Sequence, residues 1–219
     1  MENAALAPDP SRLAATETAW RQLLAPGPVL TVRERRTVMA AARAAWSGQA
    51  LGTTAVSDGA TATLLAEAAH WLAVDAGGIN EDVVADLERR GLDRWHYLEV
   101  VGIVARLANI DFYARGLGAS IPEIPIADRG NDHDQLPPTD HRDPDASRAY
   151  GFVPVIGKPS APFVLDALPH EGEQLRALHQ PMYLPFAEIM NADYTDAGIT
   201  KAAIEFVAAR VSYLNECFY

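Results

Sequence analysis

Three observations predict an all-α fold. Cap-forming residues precede each apolar run, glycine or proline follows it, and no segment alternates apolar and polar residues convincingly over the length of a strand. Asp9-Pro10 opens the first helix, with proline at a first-turn position that needs no amide, and Leu13, Trp20, Leu23 and Leu24 supply its apolar stripe. Thr31 and Glu34 form a capping box, each side chain closing the other's free amide. The helix they open runs through Val38, Ala42 and Ala45 toward Trp46, and Ser47-Gly48 is its stop. Ser57 and Asp58 start a third helix, through Leu64, Leu65, Ala68 and Leu72, which Gly77-Gly78 ends.

Asn80 caps a short helix whose first turn carries Glu81 and Asp82, suited to the positive end of the helix dipole. Gly91 ends it. Asp93 then caps a long helix with Leu98, Val101, Val104, Ala105 and Ala108, finished by Gly116 and Gly118. The nearest approach to a strand is Phe152–Ile156, and Pro154 counts against it. Residues 119–169 hold nine of the fifteen prolines and an Asp/His-rich middle. Proline removes amide donors and disfavours helix, so this segment is expected to be a linker or an irregular wrapping segment. Helix resumes over Glu171–Asn191, kinked by Pro181 and Pro185, and a last helix runs from Thr195 or Thr200 to Leu214.

The 219 residues suffice for a hydrophobic core. Eighteen basic residues against 29 acidic ones give a net charge of −11. That disfavours nucleic acid, whose binding depends on Lys and Arg neutralising phosphates, and it disfavours an anionic membrane surface. No basic and apolar leader and no membrane-spanning stretch stand out, and a reducing cytoplasm is the expected compartment. Phosphate-binding glycine loops, a Ser-His-Asp pattern and nucleotide fingerprints are not found. His133 and His141, with Asp132, Asp134, Asp140 and Asp143, match no compact ligand spacing, so a solvated linker is expected there and no metal. His70 beside Trp71, and His96 between Trp95 and Tyr97, read as packing or capping residues.

Cys217 is the single cysteine. Taken alone, it reads either as a small buried hydrophobe or as a reactive thiol. Glu205 reads either as a solvated helix residue or, among Ala202, Phe206 and Ala209, as a partly buried carboxylate. An unbroken helix would hold the two about 18 Å apart along its axis, so they meet only if the chain folds back near Asn215.

Two stretches line up. Leu30–Arg35, continuing from Val38 to Gly48, resembles the helix before the catalytic motif in the AhpD-like alkylhydroperoxidase and carboxymuconolactone decarboxylase superfamily. Ile199–Glu205, continuing to Asn215-Glu216-Cys217-Phe218-Tyr219, looks like that helix again, and Asn80–Gly118 is similar to the rest of such a unit. The resemblance implies an AhpD-like helical bundle: a whole unit over residues 1–118, a Pro-rich linker over 119–169, and the front of a second unit over 170–219. In register, Gly48 and Leu51 fall where the first unit's two cysteines would lie. Cys217 falls on the first cysteine of the second unit, whose second cysteine and histidine would lie beyond Tyr219.

The activity implied is thiol-dependent peroxide reduction without metal or organic cofactor. A thiolate attacks the peroxide and becomes a sulfenic acid, and a second thiol condenses with it to a disulfide that a reductant reopens. By the resemblance Cys217 is the resolving thiol rather than the attacking one, and Glu205 is the proton-relay carboxylate. The implied partners are a small peroxide, a thiol or dithiol reductant and further copies of the chain in a homo-oligomer. Related carboxymuconolactone decarboxylases use the fold for lactone chemistry without a cysteine pair. A degenerate structural or assembly unit is the contrasting non-enzymatic expectation.

Overall fold

Side-chain oxygens that meet free amides set where most of the helices begin. In the computed structural model, which describes residues 9–51, 59–125, 141–160 and 163–214, Asp9 Oδ1 accepts from the amides of Ser11 (2.9 Å) and Arg12 (3.1 Å) and starts α1, Pro10–Leu23. Thr31 and Glu34 close the expected capping box on α2, Val32–Trp46. Asn80 caps α4, Glu81–Arg89, and Asp93 caps α5, Arg94–Gly116. Asp93 Oδ1 accepts from the amides of Trp95 and His96, both at 2.9 Å. Between them α3, Ala60–Val74, starts at Gly59 without a side-chain cap. Its expected starters, Ser57 and Asp58, lie outside the described residues.

The described residues are mostly helical, as expected, with two short corrections. The predicted Glu171–Asn191 helix is α6, Pro169–His179, followed by 3-10 turns at Gln180–Met182 and Phe186–Glu188. Pro181 and Pro185 end the helix rather than kink it, because neither has an amide to continue the ladder, and the chain passes into 3-10 turns. Two small antiparallel ladders also form, one of them using the end of Phe152–Ile156, the nearest approach to a strand in the sequence, just after Pro154. Ala146–Ser147 (β1) pairs with Val155–Ile156 (β2), and Thr195–Asp196 (β3) pairs with Ile199–Thr200 (β4). The β3–β4 turn has positive φ at both central residues, Ala197 at 48° and Gly198 at 82°. That is the backbone a two-residue hairpin asks for. Then α7, Lys201–Leu214, begins.

The core lies among α1, α2, α3 and α5, where Leu23, Leu30, Val38, Met39, Leu65, Ile103 and Leu107 are buried. Fully burying a leucine-sized side chain contributes about 1.5–3 kcal/mol. Leu178 of α6 belongs to the same core. A second apolar group joins Leu98 of α5 to Leu165, Ala167, Leu168 and Leu175. The packing therefore crosses the expected boundaries at residues 118 and 170: α6 lies on α1 and α5. Much of the described part of 119–169 wraps this body. The Asp143 amide donates to Ala167 O (2.9 Å), Arg94 donates to Phe152 O, and the Arg142 guanidinium lies 4.8 Å from the Trp95 ring centre.

Polar ties bind the helices as well. Arg43 of α2 grips Asp111 of α5 through two bonds of 2.8 and 2.7 Å and donates to Pro122 O at 2.7 Å. Trp46 Nε1 donates to Ala73 O (3.1 Å), and its ring meets Phe112 edge-on with centroids 5.2 Å apart.

Gly102, within α5, allows α6 to approach. A Cβ there would stand 2.7 Å from Glu171 Oε2 and 3.2 Å from a Leu165 methyl. Alanine in a helix interior ordinarily gains about 1 kcal/mol over glycine. Here the sign reverses: Gly102→Ala is expected to destabilise the fold by about 1–3 kcal/mol through overpacking. Urea unfolding of the two proteins checks this, and a gain in stability would show that α6 does not sit so close.

Candidate functional site

The most unusual chemistry in the fold is a group of four buried charges. Arg35 comes from α2, Glu99 and Arg106 from α5, and Glu171 from α6, and all four side chains are shut off from solvent. Arg35 Nη1 donates to Glu99 Oε1 and, at 3.1 Å, to Glu171 Oε1. Arg106 donates to Glu171 Oε2 through Nη2 and to Gln174 through Nη1. The remaining polar atoms are met by backbone. Glu99 Oε2 accepts from the amides of Val29 (2.7 Å) and Leu30 (2.9 Å), Arg35 donates to Leu23 O and Gln22 O, and Arg106 Nε donates to Gly102 O.

Local sequence explains how the pieces arrive. Pro26-Gly27-Pro28 precedes Val29 and Leu30, turning the chain so that two consecutive amides face Glu99. A Cβ on Gly27 would collide with Glu99 and Arg35, so the loop approaches as closely as it does only because no side chain stands there. Glu99 and Arg106 are seven residues apart on α5, two turns along one face. His170 leads from the group toward solvent: its Nδ1 is 3.6 Å from Glu171 Oε1 and its ring meets Gln174.

Burial and neighbours split the two carboxylates. Burial, with Glu171 close by, raises the Glu99 pKa, and Arg35 and the Leu30 and Val29 amides only partly offset this. Burial would raise Glu171 as well, but Arg106, Arg35 and His170 hold its carboxyl far below the usual range. Arg35 is raised because its two carboxylates outweigh the cost of burial. Burial pulls Arg106 down, but a guanidinium stays charged in proteins. The surroundings thus push the two carboxylates apart, Glu99 upward and Glu171 downward. Closed to solvent on all four side chains, the group acts as a lock between α2, α5 and α6 and leaves no room for a reactant.

The sequence-predicted site residues lie elsewhere. Glu205 sits on α7, exposed, with no hydrogen bond or ion pair among the described residues. The expectation of partial burial among Ala202, Phe206 and Ala209 is corrected, because no described element covers α7 and none of its residues is buried. Phe206, Val207, Val211, Tyr213 and Leu214 are all exposed. Cys217 lies outside the described residues, as do Asp132, His133, Asp134 and Asp140. Gly48 has a left-handed backbone just after α2 (φ 75°), and Leu51 is exposed. His70 stacks edge-on against Trp71, and His96 Nδ1 lies 2.8 Å from the cap residue Asp93, in keeping with packing and capping roles. Among the described residues no three His, Cys, Asp or Glu side chains gather as metal ligands. No described helix is long and apolar enough to cross a membrane.

Sequence reading did not single out Arg35, Glu99, Arg106 or Glu171. A signal was present for two of them: Glu99 and Arg106 interrupt the apolar run of α5, between Leu98 and Val100 and between Ala105 and Leu107. Neither protein-family models, nor curated proteins, nor solved structures yield a match to this chain.

The split between the carboxylates has a measurable consequence. Glu99 titrates above the ordinary glutamate value near 4.3, so over that interval the folded state keeps a proton that the unfolded chain has lost. Its stabilising contribution is full below about pH 4.3 and is lost as pH rises through the folded value. Glu171 does the opposite, contributing above about pH 4.3 and losing that contribution as pH falls toward its depressed folded value. Glu171→Gln is expected to cost about 3–5 kcal/mol at pH 7, because two buried guanidiniums lose their shared carboxylate. Glu99→Gln is expected to cost more at pH 5 than at pH 8, and to remove a slope of at most about 1.4 kcal/mol per pH unit. Denaturant midpoints at both pH values check this; equal costs at pH 5 and pH 8 would show that Glu99 is not raised.

Proposed function

We propose that this chain is an AhpD-like, alkylhydroperoxidase-like protein whose core, helices α1–α6, is a non-catalytic scaffold. Peroxide-directed thiol chemistry would rest on Cys217, with Glu205 as the carboxylate that moves the proton. The observation that carries this reading is the end of α2. Where the resemblance puts the first unit's cysteine pair, this chain has Gly48 in a left-handed turn and the exposed Leu51, neither a nucleophile.

The repeat is supported at one point of local geometry. A single offset in numbering carries Thr31 to Thr200, Val32 to Lys201 and Glu34 to Ala203. Thr31 Oγ1 accepts from the Glu34 amide at 3.3 Å, and Thr200 Oγ1 accepts from the Ala203 amide at 3.3 Å. The two helices begin at matching residues, α2 at Val32 and α7 at Lys201. Their surroundings differ, since α2 lies in the core and α7 on the surface. That exposed apolar face favours a second reading, an assembly role in a homo-oligomer, with a reducing cytoplasm as the setting for either.

The resemblance gives Cys217 the resolving role, but as the single thiol of this chain it would itself meet the peroxide. Attack of its thiolate cleaves the O–O bond, reducing the peroxide to an alcohol or water and oxidising the thiol to a sulfenic acid. With one cysteine in the chain, no internal disulfide can follow, so an external thiol must restore it or oxidation continues. Cumene hydroperoxide consumption with excess dithiothreitol is the test, comparing this chain with Cys217→Ser and Glu205→Gln. We expect near-background turnover in all three, and one sulfenic acid per chain, trapped by dimedone, absent in Cys217→Ser and slower to form in Glu205→Gln. Multiple turnover abolished by Cys217→Ser would overturn the scaffold reading, and absence of any Cys217 oxidation would overturn the thiol reading.

A further inference from the structure

The surface of α7 is at odds with its exposure. Only Lys201, Glu205, Arg210 and Ser212 interrupt its apolar residues, yet none of them is buried. A helix apolar over so much of its circumference is ordinarily covered. The cover does not come from the described residues.

Spacing and exposure single out one stripe. Ala202, Phe206, Ala209 and Tyr213 follow one another at intervals of four, three and four residues, the spacing of the inward positions of a helix pair. Phe206 and Tyr213 are 74% and 75% exposed, more than Val207, Val211 and Leu214 on the other side of the helix. Ile204, on that other side, is half-buried. The rings thus stand farthest from their own chain.

Charge identifies what meets them. Glu205 precedes Phe206 and Arg210 follows Ala209, so the two border the stripe on opposite sides. Neither has an ion pair among the described residues, and the Arg210 guanidinium lies 5.4 Å from the centre of the Tyr213 ring. Five residues apart, they cannot pair on one helix, where partners stand three or four apart. Across two parallel helices in register, the same interval brings the acidic border of each helix to the basic border of the other. A second α7 therefore carries the complementary charges in the complementary places. Net charge agrees. Copies at −11 repel over most of their surface, whereas α7 sets Lys201 and Arg210 against Glu205 alone.

We propose that α7 pairs, side by side and in parallel, with α7 of a second copy of this chain. Ala202, Phe206, Ala209 and Tyr213 form the seam, and Glu205 of each copy faces Arg210 of the other. This rests on the reading of α7 as an assembly surface and names its partner. The helix is held in place before it pairs: Thr200 Oγ1 accepts from the Ala203 amide at 3.3 Å, and Lys201 Nζ donates to Glu188 O at 3.3 Å and to Ile189 O. Little ordering is then left for association to bear.

Sedimentation equilibrium of the full chain over a concentration series is the test, and a reversible dimer is expected. Phe206→Ser should give a folded monomer. Glu205→Arg and Arg210→Glu should each weaken the dimer at least about tenfold, because two facing attractions become repulsions. An equimolar mixture of those two variants should recover a heterodimer, in which every facing pair is again opposite in charge. In a Cys217→Ser background, Tyr213→Cys should oxidise to a disulfide-linked dimer, which an antiparallel pair would hold too far apart. A dimer that Phe206→Ser abolishes but neither charge reversal weakens, or reversed variants that fail to combine, would overturn the pairing and leave α7 as an assembly surface. A monomer at every concentration, or a dimer indifferent to Phe206→Ser, would overturn both.

Discussion

Two guanidiniums and two carboxylates, all without access to water, set the terms for the rest of this fold. Removing such groups from solvent costs several kcal/mol per ion, and the cost is offset only when geometry is good and every remaining lone pair and proton is met. Here that requirement recruits distant parts of the chain. Arg35 fixes the rotation of α2, Glu99 and Arg106 fix α5, and Glu171 fixes α6. Val29 and Leu30 must present their amides, and Gly27 and Gly102 must lack side chains. Apolar burial around the group, from Leu23 to Leu178, supplies the driving force but is less demanding about direction.

Much of this was legible in the sequence, for a local reason. Caps at Asp9, Thr31, Asn80 and Asp93 act within three residues of themselves, so reading along the chain finds them. The β3–β4 hairpin is also local and carried a signal in Ala197-Gly198, but its strands are too short for alternation to show. The charge lock was not legible, because its partners are separated by up to 136 positions and each, read singly, is an ordinary helix residue. The placement of α6 was hidden for the same reason: division by composition at residues 118 and 170 ignores a core that closes across both.

The candidate chemistry divides differently. Glu205 was found by resemblance, and its place on the exposed α7 shows why resemblance alone says little about its work: no described residue pairs with it or orients it. Glu99 shows the reverse. Little in the sequence marks it beyond its place in the apolar run of α5, yet its burial beside Arg35 and Glu171 sets it apart once the fold is known. Perturbation by surroundings, more than residue type, separates a working side chain from a bystander.

The order in which the chain is made gives Glu171 a further meaning. During synthesis the first five helices emerge before it, and at that stage Arg35 and Arg106 have only Glu99 to share. An unbalanced positive charge resists enclosure, so burying Arg35 and Arg106 costs more without the carboxylate that α6 brings. The segment before α6 is thus more than a spacer: Leu165, Ala167 and Leu168 carry the last carboxylate to its place while burying their own surface. Completing the charge group is therefore a long-range requirement, one that joins residues 136 positions apart and needs the chain through residue 171.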